Sequence, residues 1–336
     1  MTPKKPTQND VARRANVSQA LVSYVLNGSD VTIPAETRQR ILDAMKELGY
    51  QPSKVARSLR TSRTYTIAGV IPDILNPFYP AFQRGIQDVA DAENYDLITY
   101  NTDANPDKER SFCQSLLQGR ADGLIVVLFH VNATALVPLL ERGIPVIRLE
   151  AMYKAPGGYP LDNIYVDNAA ASHAAVAYLI GRGHRRIGML AGHAGPTRHR
   201  MAGYWQALTE HSITPDEGLI ETAEFNETGG YTGMQALLER ARGLTAVFAS
   251  NDLMAIGAIQ AIQNAGLRVP EDIAVVGFDD IPTARLVNPA LTTVSQHQEQ
   301  IGRRAAQMLF ERLNGSVPPG GRTEAMPFEL IIRQSA

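Results

Sequence analysis

The chain has 336 residues, 20% of them charged, a formal net charge of −2 and a single cysteine, Cys113. One cysteine excludes an internal disulfide, and no apolar stretch reaches the length that crosses a bilayer. The N-terminal M-T-P-K-K-P-T-Q-N-D holds no apolar signal core, so the expected location is the cytoplasm.

The near-neutral total hides an uneven distribution. Residues 1–63 carry 11 Lys and Arg against 5 Asp and Glu, a net of +6, so the remaining 273 residues sum to −8. A basic head on an acidic body is the electrostatic footprint of a nucleic-acid binder.

The head reads as three short helices. Val11, Ala12 and Ala15 stand at helical spacing, Asn16-Val17-Ser18 breaks the pattern, and Leu21, Val22, Val25 and Leu26 resume it. Thr7 and Ser18 are the residue types that accept from N–H groups at a helix start. So tight a turn makes the two helices cross steeply, as in a helix-turn-helix. A third amphipathic helix is expected from Pro34 to a stop at Gly49. On the second helix Gln19, Ala20, Ser23, Tyr24 and Asn27 point away from the apolar face. The first residues of a recognition helix reach base edges, so Gln19 is expected to pair with adenine and Ala20 to meet a thymine methyl. Tyr24, in the middle of the polar face, is expected to touch a base or a phosphate.

Residues 53–61 read S-K-V-A-R-S-L-R-T. Lys54, Arg57 and Arg60 recur every three residues, and Val55 and Leu59 share a face at i, i+4. Nine residues are too few for a stable isolated helix in water.

From about Thr64 onward, strand and helix alternate. Apolar runs at Ile67–Ile71, Leu97–Tyr100, Gly123–Leu128 and Val146–Leu149 are separated by helical stretches at 79–93, 107–117 and 133–142. The pattern restarts after Tyr165, with strands near 187–191, 219–224, 245–249 and 273–277. Strands apolar along their whole length belong to parallel sheets covered by helices on both faces. Two such runs exceed one compact core and imply two lobes. A strand at Thr292–Ser295, a helix at His297–Leu313 and a strand near Phe328–Ile332 follow.

Ligands of open α/β sheets bind beyond the carboxyl ends of the strands. Asn76, Phe78 and Tyr79 follow the first strand there, Glu150 the fourth, and Arg200 ends the loop after Ala191. Phe225, Asn251-Asp252, Asp279-Asp280 and Gln296 follow later strands. Carboxylates, an arginine, amides and flat aromatic faces suit a small polyhydroxylated molecule, by paired hydrogen bonds and by stacking on C–H surfaces.

Residues 7–63 resemble the headpiece of the lactose-repressor/galactose-repressor family, whose pattern is close to D-V-A-x-x-A-x-V-S-x-x-T-V-S-R-V-L-N. The chain matches at Asp10, Val11, Ala12, Ala15, Val17, Ser18, Val22, Ser23, Val25, Leu26 and Asn27. Leu21 stands where the family usually has Thr, and Tyr24 where it usually has a base-reading Arg. The pattern P-S-x-x-A-x-x-L at 52–59, which includes Ala56, fits the family's hinge. The resemblance implies that this hinge becomes helical on DNA, pairs with its copy from a second subunit and wedges Leu59 into the minor groove. N-P-F, R-x-x-G-Y, N-D and G-F-D-D stand at the family's effector-contact positions.

The expected fold class is therefore a small all-α helix-turn-helix headpiece joined to an α/β two-lobed core similar to the periplasmic binding proteins, in which the chain crosses between lobes three times. The expected divisions are a headpiece at 1–50, a hinge at 51–63 and a core at 64–336. Within the core, 64–163 and 296–324 are expected in the first lobe, and 164–295 and 325–336 in the second.

Enzymatic motifs are missing. The loop at 192–200 lacks the G-x-x-x-x-G-K-[ST] order, and there is no G-x-G-x-x-G after a strand, no G-x-S-x-G elbow and no H-E-x-x-H. No cofactor or metal is expected. The resemblance implies a bacterial regulator, most simply a repressor of sugar-metabolism genes. It would bind an inverted-repeat operator in double-stranded DNA as a homodimer, under the control of a sugar or sugar derivative in the cleft. Two alternatives are a free-standing cytoplasmic sensor of the sugar-binding-protein type and a regulator controlled by a phosphocarrier protein.

Overall fold

The structure, a computed structural model, describes residues 6–27, 31–51, 61, 63–149 and 161–336. Lys54, Ala56, Arg57, Leu59 and Glu150 lie outside the described residues, as does the side chain of Asn27. The chain divides into two units, residues 1–64 and 65–336.

The first unit contains α1 (Gln8–Ala15), α2 (Gln19–Asn27) and α3 (Ala35–Leu48). Thr7 and Asp10 form a reciprocal capping box: the Asp10 N–H donates to the Thr7 hydroxyl and the Thr7 N–H to the Asp10 carboxylate. Asn16 ends α1 in the left-handed region, where a short amide side chain is tolerated. Val11, Ala12, Ala15, Val22, Val25, Ile41 and Ala44 form the buried cluster, with Leu21 and Leu26 packed at its border. Gly49 closes α3 at φ +60°, the expected stop.

In the second unit, β1 (Thr66–Ile71), α4 (Phe78–Ala92), β2 (Asp96–Asn101) and α5 (Pro106–Leu116) come first. β3 (Gly123–Val126), α6 (Val137–Glu141), β4 (Val146–Leu149) and β5 (Asp162–Val166) complete the first run. The second lobe follows with α7 (Asn168–Gly181), β6 (Ile187–Ala191), α8 (Thr197–Glu210), β7 (Ile220–Thr222) and α9 (Glu227–Arg240). It continues with β8 (Ala246–Ala249), α10 (Asp252–Asn264), β9 (Ala274–Asp279) and β10 (Thr292–Ser295). Then α11 (Gln298–Leu313) and β11 (Thr323–Met326) return to the first lobe, and β12 (Glu329–Ile331) joins the second sheet. The two sheets run β11-β5-β4-β3-β1-β2 and β12-β10-β9-β8-β6-β7. All neighbours are parallel except β10 and β12. Each sheet is covered on both faces by separate apolar clusters.

Helix packing explains otherwise costly residues. Glycine inside a helix is disfavoured by roughly 1 kcal/mol against alanine. Where α4 crosses α11, however, a Cβ on Gly85 would stand 2.0 Å from the Glu299 carbonyl oxygen, and one on Gly302 1.9 Å from that of Phe82. The close crossing requires both.

Several expectations need correction. β5 and β11 lack the apolar signature of the other strands, and β5 carries the first lobe to Val166, so the crossing falls at Asp167 rather than after 163. β5 opens with Asp162 and Asn163, both fully buried, and charge at its start masks the apolar signature. The Asp162 carboxylate is held by the guanidiniums of Arg312 and Arg322, at 2.6 and 2.8 Å. β11, T-E-A-M, is an edge strand that reaches Met326, two residues beyond the expected boundary. β2 is also an edge strand, with Ile98 exposed rather than covered on both faces. Of the run at 219–224 only 220–222 is strand, preceded by a 3-10 turn at Glu217–Leu219.

Candidate functional site

In the headpiece, Ser18 accepts the Leu21 N–H at 3.2 Å and starts α2. Ser18, Gln19 and Ala20 are exposed at that start, Tyr24 is 39% exposed one turn further on, and Ser23 is half-buried. An uncovered first turn with small and amide side chains is what a groove-reading helix presents. Thr7 is exposed at the start of α1 and engaged in its capping box.

In the core, the loops at the carboxyl ends of both sheets enclose a cavity of about 540 Å³. Eight of the residues singled out from sequence line it: Asn76, Phe78, Tyr79, Arg200, Phe225, Asn251, Asp279 and Gln296. Topology brings them together, since every strand of a parallel sheet delivers its carboxyl end to the same rim.

Arg200, 3% exposed, is the most constrained of them. Its Nε donates to the Asn168 side-chain Oδ1 at 2.8 Å, Nη1 donates to the Ser250 backbone carbonyl oxygen, and the guanidinium stacks 3.7 Å above the Phe278 ring. Nη2 lies 3.7 Å from Asp279 Oδ1, which also accepts the Gln296 amide at 2.7 Å. Asp279 is held at φ +117°, outside the usual range for a side-chain-bearing residue, with its carbonyl oxygen accepting from the Gln298 amide.

Asp252 is not part of the wall. It is fully buried behind it, where its carboxyl accepts the Ile281 N–H at 2.8 Å and the Thr293 hydroxyl. Burial, and then the charge of Asp279, push its pKa well above the usual carboxylate range. Its place after a strand end is right. Its side chain turns inward because the N–H of the neighbouring loop needs an acceptor there.

The sequence reasoning missed the walls after β2 and β3. Asp103 and Asn105 follow β2, and Phe129 and His130 follow β3. The same rule of strand carboxyl ends would have found them. Asp73, His193, Glu224 and Asn226 extend the rim, with His193 and Glu224 3.6 Å apart. Four asparagines share one design. Asn76, Asn105, Asn226 and Asn251 each accept a backbone N–H at the start of a helix, at 2.7 to 3.1 Å. Each side-chain oxygen is thereby turned toward its helix start, and the amide NH₂ groups are donors; that of Asn251 goes to the Phe225 carbonyl oxygen.

Cys113 is buried in α5, where burial and then the charge of Glu109 push its thiol up to about 11, far from a reactive thiolate. Among the described residues no group of three or more His, Cys, Asp or Glu side chains gathers as metal ligands, and no helix is long and apolar enough to cross a membrane.

Residues 7–53 match the family description "Bacterial regulatory proteins, lacI family", and residues 176–336 the description "Periplasmic binding protein-like domain". The chain is 38% identical over 336 residues to the HTH-type transcriptional repressor PurR of Erwinia tasmaniensis, covering 98% of this chain and 96% of that protein. Among solved structures it is similar to the lac repressor dimer bound to operator and the anti-inducer ONPF. That similarity has a TM-score of 0.86, 26% identity and 99% of each chain covered. It is also similar to the transcriptional regulator CelR in complex with cellobiose, with a TM-score of 0.73, 31% identity and 98% and 100% covered. The helix-turn-helix head, the two parallel-sheet lobes and this likeness along nearly the whole chain agree: the protein belongs to the LacI family of DNA-binding transcriptional regulators, a family that is not enzymatic.

Proposed function

We propose that this protein is a repressor that binds an inverted-repeat operator as a homodimer and is controlled by an uncharged polyhydroxylated molecule, a sugar in the first instance, in the cleft between its lobes. The observation that carries the reading is the chemistry of the cavity wall. Asp73, Asp103, Glu224 and Asp279 line it, Asp103 in an ion pair with Lys108, and the one arginine of the wall, Arg200, already sits beside Asp279. The helix starts around the cleft would favour an anion. Their asparagine caps take up N–H groups that an anion would use. Amide donors beside carboxylate acceptors suit hydroxyl groups, which donate and accept at once. The CelR structure, with cellobiose bound, supports a saccharide, and the lac repressor dimer on its operator supports two-fold binding.

In this reading Gln19, Ala20 and Tyr24 read base edges, and the hinge residues Lys54, Ala56, Arg57 and Leu59 engage DNA when two heads dock together. Leu59→Ala then weakens specific operator binding and spares non-specific binding. The deciding experiment is operator binding, on a site selected from random DNA, with neutral sugars, sugar phosphates and nucleosides added in turn. Release or tightening by a neutral sugar supports the reading. A response to sugar phosphates or nucleosides alone overturns the effector class, and failure to select any operator overturns the regulator.

A further inference from the structure

One aromatic side chain on the cleft reaches across it. Phe129 follows β3 in the first lobe, and its ring lies against that of Phe225 in the second, with centroids 6.4 Å apart and planes at 54°. Under the same ring lies Gly195 of the second lobe, at φ +61°, where a Cβ would come within 2.7 Å of the Phe129 ring. The missing side chain makes the seat. The backbone that aims Phe129 is equally fixed. Glu109 of α5, 0% exposed, accepts the N–H groups of Phe129, His130 and Val131 at 2.9, 3.0 and 2.8 Å. A buried carboxylate that gathers three backbone donors holds a loop in one conformation.

Phe129 also stands between two spaces. It and Pro196 line both the 540 Å³ cavity and a second chamber of about 200 Å³. The second chamber is bounded by Tyr165, Val166, Asn168 and His199, where the chain passes from the first lobe to the second.

We propose that Phe129, aimed by Glu109 and seated on Gly195, is the specificity-determining residue of this cleft: it clasps the two lobes together and walls off the second chamber, so that it sets the length of ligand the cleft accepts. The clasp needs no ligand and stands on the contacts alone. The consequence for ligand length rests on the effector reading given above.

The two parts are tested separately on the full chain. Hydrogen exchange of the ligand-free protein is compared with that of Phe129→Ala. The expected result is exchange roughly two- to tenfold faster at 192–195 and 224–226, across the cleft from the substitution, the range an aromatic pair supports. The amides of residues 130 and 131, still bonded to Glu109, stay protected. A change confined to residues near 129, or no change, overturns the clasp. Phe129→Leu, which keeps apolar volume but loses the ring, serves if the alanine variant fails to fold, and is expected to move the same segments in the same direction.

For ligand length, melting shifts are ranked over neutral mono-, di- and trisaccharides for wild type and Phe129→Ala. The expected result is that the variant responds to a longer saccharide than wild type does. Identical rankings overturn the partition. Silence of both proteins counts against the saccharide reading, and the clasp is then decided by exchange.

Discussion

Arg200 and Asp279 meet at 3.7 Å in the wall of the cleft, each less than a tenth exposed, and each is held by other groups before it can turn to the other. The pair is a fixed dipole within the second lobe's side of the cleft, not a flexible surface bridge. Removing one member of a buried pair leaves the other uncompensated, at a cost of about 3–5 kcal/mol. Arg200→Ala is therefore expected to lower the melting temperature and to abolish the melting shift given by the effector. A variant that still shifts with the wild-type dose curve would remove Arg200 from the ligand's contacts.

Asp252 gives a prediction with the opposite sign to ordinary acid lability. Its folded pKa is raised by burial and by the Asp279 charge, so the folded state holds this proton more tightly than the unfolded state. Its contribution is favourable below the unfolded value of about 3.9 and is lost as pH rises toward the raised folded value. Asp252→Asn keeps an oxygen for the Ile281 N–H and is expected to flatten that part of the stability–pH curve. Urea unfolding of both proteins between pH 4 and 8 checks it, and parallel curves would show that Asp252 titrates normally.

Asp162 behaves the other way. Burial acts to raise its pKa, but the guanidiniums of Arg312 and Arg322 and the Arg322 N–H outweigh it and hold the carboxyl below the usual range. The stability it confers is present above about pH 4 and lost as pH falls through the folded value. Asp162→Asn leaves two arginines short of a partner, with a loss of about 3 kcal/mol or more at pH 7 and a shallower acid transition. Equal acid midpoints for variant and wild type would contradict this.

Glu109→Gln tests the first-lobe wall. An amide has one acceptor oxygen where the carboxylate has two, so at least one of three converging N–H groups is left unpaired. The expected loss is about 1–3 kcal/mol in unfolding free energy, with faster exchange at 129–131.

Tyr24→Arg is expected to change base preference at one symmetric pair of operator positions, read by selecting binding sites from random DNA. An unchanged consensus would mean that this exposed ring does not face the bases.

The headpiece was legible from sequence because its signals are local. Thr7, Asp10 and Ser18 act within three residues of themselves, and Val11, Ala15, Val22 and Val25 repeat at helical spacing. Eight of the cavity residues were legible for another reason: a parallel sheet sends every strand's carboxyl end to one rim, so Arg200, Asn251 and Asp279 could be placed near each other without any distance being known. What lay beyond reach were relations between distant residues. Asp162 disguises its strand because its charge is answered by Arg312 and Arg322, 150 and 160 residues away. Asp252 sits after a strand end like Asn251, yet it turns inward because Ile281 and Thr293 arrive there. Phe129 reads as one more apolar residue until Gly195 is seen to lack the atom that would collide with it. Periodicity and capping are properties of a segment and are written along the chain. The direction of a buried polar group or of a ring across a cleft is decided by its partners, and only the tertiary structure brings those to it.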